Sequence, residues 1–124
     1  MASTSAAETR LDAYLGGRVR VRQGVRGYRA GVDAVMLAAA VPASPGQTVL
    51  ELGCGVGVAS LCLAARVDGL ELLGVELHGP TAALARENGL ACVTADLRAL
   101  PAEVKSRRFD HVLMNPPYFD LSAG

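Results

Sequence analysis

The sequence predicts an α/β fold of the doubly wound kind, with a mainly parallel central sheet. Short apolar runs typical of buried strands alternate with segments that are apolar at helical spacing. The predicted strands are 48–52, 70–77, 90–94 and 109–114. The predicted helices between them are 58–66 and 80–88. Because strands joined through helices connect by right-handed crossovers, this order favours parallel pairing.

A strand with one basic face is expected ahead of this core. Arg18, Arg20 and Arg22 alternate with Val19 and Val21, which is the period-two pattern of a half-buried strand. Glycine residues on both sides indicate turns, so a hairpin is expected over about 15–29.

The sequence also predicts a helix after the hairpin and a division of the chain into three segments. Asp33 is expected to cap a helix that continues to Ala40. We therefore expect an N-terminal arm over 1–14, the hairpin and helix over 15–46, and a partial core over 47–124.

Composition and charge limit the classes of function. Of the 124 residues, 51% are apolar, which is enough for the core of one domain. The formal net charge is zero, but residues 1–30 carry a surplus of four positive charges. This asymmetry is consistent with an anionic partner such as nucleic acid, and also with an ordinary solvated hairpin.

The sequence also gives expectations on location and metals. No apolar leader segment and no bilayer-spanning run are present, which predicts a cytoplasmic protein without a membrane partner. Cys54, Cys62 and Cys92 form no CxxC pair, so neither a disulfide framework nor a metal site is expected.

A glycine-rich loop is the central candidate for ligand binding. The stretch ELGCGVG places Gly53, Gly55 and Gly57 between a predicted strand and helix, with Glu51 just ahead of them. Acidic Glu76 ends the next strand, where a doubly wound fold binds a ribose diol. An acidic side chain at Glu51 suits a cationic ligand group better than a pyrophosphate.

The segment NPPY directly follows the fourth predicted strand. Pro116 and Pro117 fix two backbone φ angles and lack N–H donors, so free carbonyl acceptors remain nearby. The Asn115 side chain adds an acceptor, and Tyr118 offers a face for stacking. The pattern favours binding of a planar NH₂ group, with a rigid turn as the structural alternative.

These motifs together resemble the class I S-adenosylmethionine-dependent methyltransferases, especially their small-domain group. The resemblance covers about 27–118 and implies a Rossmann-like core with S-adenosyl-L-methionine as cofactor. It implies catalytic roles for Asn115, Pro116, Pro117 and Tyr118. The cofactor-binding residues that it implies are Gly31, Asp33, Glu51, Gly53, Cys54, Gly55, Gly57, Glu76, Leu77, Asp96, Leu97 and Asn115. Surface exposure of Glu76 and helix capping by Asp96 or Asp33 are the structural alternatives.

A second resemblance reduces the number of candidate substrate classes. NPPY occurs in adenine N6, guanine N2 and protein glutamine N5 methyltransferases, whereas 27–41 resembles tRNA adenine-N6 methyltransferases of bacteria. We therefore predict an N-methyltransferase acting on adenine N6 of tRNA, with Arg18, Arg20 and Arg22 contacting RNA. The alternatives are a protein glutamine N5 methyltransferase and a truncated cofactor-binding module without turnover.

The sequence departs from the family near its end. It stops six residues after Tyr118, so only four of the family's central strands are visible. This predicts a core truncated after the fourth central strand, which would leave that strand as an exposed apolar edge. Such an edge predicts self-association.

Overall fold

The computed structural model of the chain describes residues 8–25 and 31–114. Six strands and four helices alternate along these residues. In chain order they are β1 (Thr9–Tyr14), β2 (Val19–Gly24), α1 (Val32–Ala40), β3 (Thr48–Leu52), α2 (Val58–Arg66), β4 (Glu71–Glu76), α3 (Gly79–Glu87), β5 (Cys92–Thr94), α4 (Ala102–Lys105) and β6 (His111–Met114). Short 3₁₀ turns lie at Leu15–Gly17 and Leu97–Ala99.

The core sheet has four strands in the order β5-β4-β3-β6, and all of its neighbours are parallel. Leu52 at the end of β3 lies between Val75 of β4 and Met114 of β6. The carboxyl ends of these strands therefore meet at one edge of the sheet, where such folds bind ligands. The predicted α/β fold with a parallel sheet is confirmed.

One face of the sheet carries the main apolar core. Val49 of β3 packs there with Ala34 and Ala38 of α1 and with Leu63 of α2. Val21 from the hairpin is fully buried in the same cluster. The core is aliphatic, and burial of its methyl and methylene groups stabilises the fold by about 25 cal/mol per Å² of apolar surface.

The opposite face is covered by α4, which the sequence did not predict. Val104 of α4 packs with Leu50 and Val75, two strand residues that point to this face. A four-residue helix is too short to give a periodic signal in the sequence. Because helices cover both faces of the sheet, the fold is doubly wound.

The hairpin boundaries differ from the prediction. Its first strand, β1, occupies part of the segment predicted as an arm, and it pairs with β2 from Thr9↔Gly24 to Tyr14↔Val19. The prediction of 15–29 was wrong because Gly16 and Gly17 form the turn of the hairpin. Their φ values of 64° and 89° lie in the left-handed region, which favours glycine.

A buried polar residue fixes the hairpin register. Gln23 is 2% exposed, and its Nε2 donates to Asp12 Oδ2 and to Tyr14 Oη, both at 2.7 Å. All three side chains thereby satisfy hydrogen-bonding groups that would be costly to bury alone.

The start of α1 also differs from the prediction. The residue at its N-cap is Gly31, and no side chain caps the helix. Asp33 is the second residue of the helix, two positions after the N-cap, so the prediction that it caps α1 was wrong. An acidic residue in the first turn still interacts favourably with the helix dipole.

Within the described residues, β6 is an edge strand that pairs with β3. Val112 and Met114 on this strand are 57% and 47% exposed. Self-association through this edge stays a prediction. None of the helices that the structure describes combines the length and apolarity needed to cross a bilayer.

Candidate functional site

The glycine loop connects β3 to α2 at the carboxyl edge of the sheet. Gly53, Gly55 and Gly57 have φ values of 69°, 57° and 101°, a region that residues with a Cβ rarely adopt. Gly57 is the N-cap residue of α2. The glycine spacing in the sequence therefore corresponds to a backbone path that only this residue type follows without strain.

Backbone hydrogen bonds hold this loop against β4. The N–H groups of Gly53 and Cys54 both donate to the carbonyl oxygen of Val75, at 2.8 and 3.0 Å. The N–H of Gly57 donates to the carbonyl oxygen of Cys54 at 3.0 Å. These bonds fix the loop before any ligand binds, which is the preorganisation that binding sites need.

Glu76 at the end of β4 closes the loop from the other side. Its Oε1 accepts from the backbone N–H of Gly55 at 3.0 Å, and its Oε2 accepts from the N–H of His78 at 3.0 Å. Hydrogen bonds from two backbone amides orient the carboxylate at the sheet edge. The sequence predicted the position of Glu76 but not its contact with the loop.

Glu51 is buried and lies against the first turn of α2. Its side chain is 2% exposed, and Ser60 Oγ donates to its Oε1 at 2.6 Å. Desolvation raises the pKa of Glu51 to about 7, against the opposing effect of the Ser60 hydrogen bond. A contact between Glu51 and a cationic ligand group stays a prediction, since the structure gives it a neutral hydroxyl partner.

Asp96 follows β5 at the same edge of the sheet. The N–H of Ala95 donates to the carbonyl oxygen of Glu76 at 3.0 Å, so Asp96 lies next to the end of β4. Its side chain caps the 3₁₀ turn by accepting from the N–H of Arg98 at 2.9 Å. The Arg98 guanidinium hydrogen bond lowers the pKa of Asp96 to about 2. The structural alternative, a cap, is thus realised, and a ligand contact is untested.

Two exposed leucines accompany these acids. Leu77 directly follows Glu76 and is 63% exposed, while Leu97 directly follows Asp96 and is 39% exposed. Exposed apolar side chains next to acidic groups suit a ligand that combines a flat apolar ring with hydroxyl donors.

Asn88 is a site residue that the sequence analysis missed. It ends α3, and its Nδ2 donates to the carbonyl oxygen of Val56 in the glycine loop at 3.0 Å. The same Nδ2 donates to the Arg22 carbonyl at 3.0 Å, and Oδ1 accepts from the Arg22 N–H at 2.9 Å. An Asn-Gly pair after a helix indicates only a helix end, so no local signal predicts this bridge.

The predicted RNA-contacting arginines differ in their surroundings. Arg18 Nη2 donates to the carbonyl oxygen of Ala65 at 2.8 Å, and Arg22 Nη1 donates to Thr9 Oγ1 at 3.1 Å. Arg20 is exposed on the strand between them. Gly31 and Asp33 are exposed at the start of α1. Asn115, Pro116, Pro117 and Tyr118 lie outside the described residues.

The parallel sheet order and the glycine loop between β3 and α2 define a Rossmann-like α/β domain. The family model "Methyltransferase small domain" matches residues 21–123. The chain therefore belongs to this family, as its motifs predicted.

Curated and solved relatives agree with this assignment. The chain is 36% identical, over 73% of its length, to the "tRNA1(Val) (adenine(37)-N6)-methyltransferase" of Dickeya chrysanthemi strain Ech1591. TrmN from Thermus thermophilus is 27% identical with a TM-score of 0.62, over 80% of this chain and 31% of that one. A "SAM Dependent Methyltransferase" from Agrobacterium tumefaciens has a TM-score of 0.64 at 24% identity and supports the fold, covering 92% of this chain and 41% of the other.

These matches cover only part of the length of each relative. The chain spans 39% of the length of the Dickeya protein. The family and the fold of this region are thus established.

Proposed function

We propose that this chain supplies the S-adenosylmethionine site of a methyltransferase that modifies the N6 amino group of an adenine in tRNA. The observation that carries the proposal is the closure of the glycine loop on Glu76, at the edge where β3, β4 and β5 end. Membership of the methyltransferase small-domain family supports the reaction class. The Dickeya relative is named as a tRNA adenine-N6 methyltransferase, which supports tRNA adenine N6 as the target.

The donor set at this edge fits the proposed cofactor. Glu76 offers carboxylate oxygens to a ribose diol, and the two exposed leucines offer apolar contact to an adenine ring. The glycine loop allows close approach of a ligand to the backbone. When bound, S-adenosylmethionine would supply an electrophilic methyl group on a sulfonium centre.

Glu51 acts beneath the loop in this proposal. Its burial favours the neutral carboxyl group near pH 7, and a nearby sulfonium or ammonium would favour the ionised form. Its hydrogen bond with Ser60 joins the end of β3 to the start of α2, the two elements that flank the loop. Glu51 therefore positions the loop and responds to the charge of the ligand.

Asn115 and the two prolines hold the target nitrogen in this proposal. The Asn115 carbonyl oxygen and the Pro116 backbone carbonyl would each accept a hydrogen from the amino group, which directs the nitrogen lone pair toward the methyl donor. Tyr118 would stack on the base. No strong base is required, because the nitrogen loses its proton after attack.

The proposed RNA contacts come from the hairpin. Arg20 is exposed between Arg18 and Arg22, whose guanidinium groups donate to other residues of the chain. The Arg20 guanidinium is therefore the first candidate for a phosphate contact. Arg22 on the same strand, and Arg18 in the turn just ahead of it, would add contacts. Such contacts position the RNA and do not select the base.

Two measurements test the proposal in sequence. Calorimetry with S-adenosylhomocysteine tests the cofactor site, and absence of heat with folded protein would contradict it. Mass spectrometry of nucleosides from tRNA, after incubation with the protein and S-adenosylmethionine, tests the target. Detection of N6-methyladenosine supports the proposal. Transfer of the methyl group to a protein glutamine would instead show that the substrate is a protein and not tRNA. Cofactor binding without any transfer would instead favour a binding module.

A further inference from the structure

Two cysteine side chains meet at the base of the glycine loop. The Sγ atoms of Cys54 and Cys92 lie 3.6 Å apart, although the residues are 38 positions apart in the chain. Cys54 lies within the loop, and Cys92 is the first residue of β5. Both are free thiols, so the structure places a dithiol pair directly under the loop.

Gly74 makes room for this pair. It is the register partner of Cys92 in the β4–β5 ladder. A Cβ at Gly74 would lie 2.6 Å from Cys54 Sγ and 2.9 Å from Cys54 Cβ, both shorter than real contacts. The missing side chain on β4 therefore leaves the space that Cys54 fills next to Cys92.

The pKa values of the two thiols are shifted in opposite directions. The hydrogen bond from Cys54, together with the charge of Arg86, lowers the pKa of Cys92. The same hydrogen bond and burial raise the pKa of Cys54. Arg86 is held nearby, because its Nη1 donates to the Cys92 carbonyl oxygen at 2.9 Å. Cys92 is thus the more acidic thiol of the pair, and Cys54 is the less acidic one.

Accessibility follows the same order. Cys92 is partly exposed, whereas Cys54 is only 5% exposed. A thiolate that is accessible and has a second thiol beside it is the arrangement of a peroxide-sensitive site. Cys62, the third cysteine, is 2% exposed in the main core.

We propose that Cys54 and Cys92 form a reversible disulfide site for hydroperoxides. The Cys92 thiolate attacks the peroxide oxygen, the O–O bond breaks, and an alcohol or water leaves after proton uptake. Cys92 then carries a sulfenic acid. Cys54 sulfur attacks the Cys92 sulfur, the S–O bond breaks, and a water molecule leaves. Two thiols are oxidised by two electrons, and the hydroperoxide accepts both.

Oxidation would displace the glycine loop. The Sγ atoms must approach from 3.6 Å to the bonded distance of about 2.0 Å, and Cys54 is part of the loop that moves. This consequence depends on the proposed cofactor role of the loop. We expect the dissociation constant for S-adenosylhomocysteine to rise by about tenfold on oxidation, because preorganised sites tolerate only small displacements.

The experiment treats the folded chain with hydrogen peroxide, alkylates the remaining thiols under denaturing conditions, and measures intact and peptide masses. We expect two of the three thiols to be protected, and a linked peptide pair that contains Cys54 and Cys92. Cys54→Ser and Cys92→Ser should each abolish the link, and Cys62→Ala should retain it. Circular dichroism confirms that each variant is folded.

Calorimetry before and after oxidation, and after addition of a thiol reductant, measures the consequence. A reversible loss of affinity for S-adenosylhomocysteine supports redox regulation of the cofactor site. Unchanged affinity in the disulfide-linked protein overturns that regulation. Oxidation of Cys92 to a sulfinic acid without the link, or a link to Cys62, overturns the disulfide site itself. If the link forms but the reduced protein binds no S-adenosylhomocysteine, the disulfide proposal stands and the proposed function fails.

Discussion

The side-chain amide of Asn88 donates to the backbone carbonyl oxygen of Val56 at 3.0 Å, which joins the end of α3 to the glycine loop. Two further hydrogen bonds join the same side chain to the backbone of Arg22 in the hairpin. One amide thus connects the predicted RNA-contacting strand with the predicted cofactor loop. A disturbance of the hairpin would reach the loop through this residue.

Replacement of Asn88 by alanine should loosen both segments together. The substitution removes the partners of two carbonyls and one N–H group, so we expect the free energy of unfolding to fall by about 1–3 kcal/mol. Hydrogen exchange should become faster in the hairpin and in the glycine loop. Glu87→Ala, which changes an exposed neighbour on α3, is the control. Faster exchange in the hairpin alone would contradict the bridging role.

Replacement of Glu76 by alanine should weaken binding of S-adenosylhomocysteine. The variant loses the acceptor of the Gly55 N–H and the proposed acceptor of the ribose hydroxyls. We expect a loss of about 1–3 kcal/mol in binding free energy by calorimetry. Glu71→Ala is a matched control, because Glu71 lies at the opposite end of β4 with a 73% exposed side chain. Equal affinities of the two variants would remove the ribose role from Glu76.

The buried carboxyl group of Glu51 should make stability depend on pH. Its pKa in the folded protein is about 7, above the ordinary value of 4.5. As pH rises, the unfolded chain loses this proton first, near its ordinary pKa of 4.5. The Glu51 contribution to stability is therefore fully present below that pH and is lost as pH rises to about 7. The magnitude is about 3 kcal/mol.

Urea unfolding from about pH 5 to about pH 8 measures this effect. Glu51→Gln should flatten the fall in stability, since a neutral amide still offers an acceptor to Ser60. Glu103→Gln on α4 is exposed and should leave the fall unchanged. An identical pH profile for the chain and for Glu51→Gln would assign the titration to another group.

Replacement of Arg20 by glutamine should weaken tRNA binding and reduce its dependence on salt. Each lost phosphate contact removes about 0.7–0.9 from the slope of log affinity against log salt. Arg108→Gln is the control, because this exposed residue precedes β6 and lies toward the amino ends of the strands. If both variants change the slope equally, Arg20 contributes only through the overall positive charge of the protein, and the proposed contact between the hairpin and a phosphate is wrong.

Replacement of Asn115 by alanine should abolish methyl transfer and spare cofactor affinity. The proposed Asn115 contact orients the target nitrogen in the transition state, so its loss lowers kcat more than it changes ground-state binding. Nucleoside mass spectrometry and calorimetry on the same preparation measure the two properties. Retained turnover would exclude Asn115 from the reaction, and loss of cofactor affinity would assign it to the cofactor site.

The structure confirms the parts of the fold that depend on local patterns. The strand 48–52 and the helix 58–66 have the predicted bounds, because a short apolar run, a glycine loop and an apolar helix follow one another directly. The hairpin was misplaced because a glycine pair indicates a turn without indicating which residues pair across it. The helix α4 was missed because it is too short to show a period.

The sequence by itself determined the order of the four core strands and of the helices α1, α2 and α3, the family, and the positions of the glycine loop and of Glu76, since these depend on spacing along the chain. The tertiary structure decided the contacts between distant segments. Glu51 with Ser60, Cys54 with Cys92, and Asn88 with Val56 are examples. These pairs form because parallel strands and their helices bring separate loops to one edge of the sheet, and a linear pattern does not encode which side chains meet there.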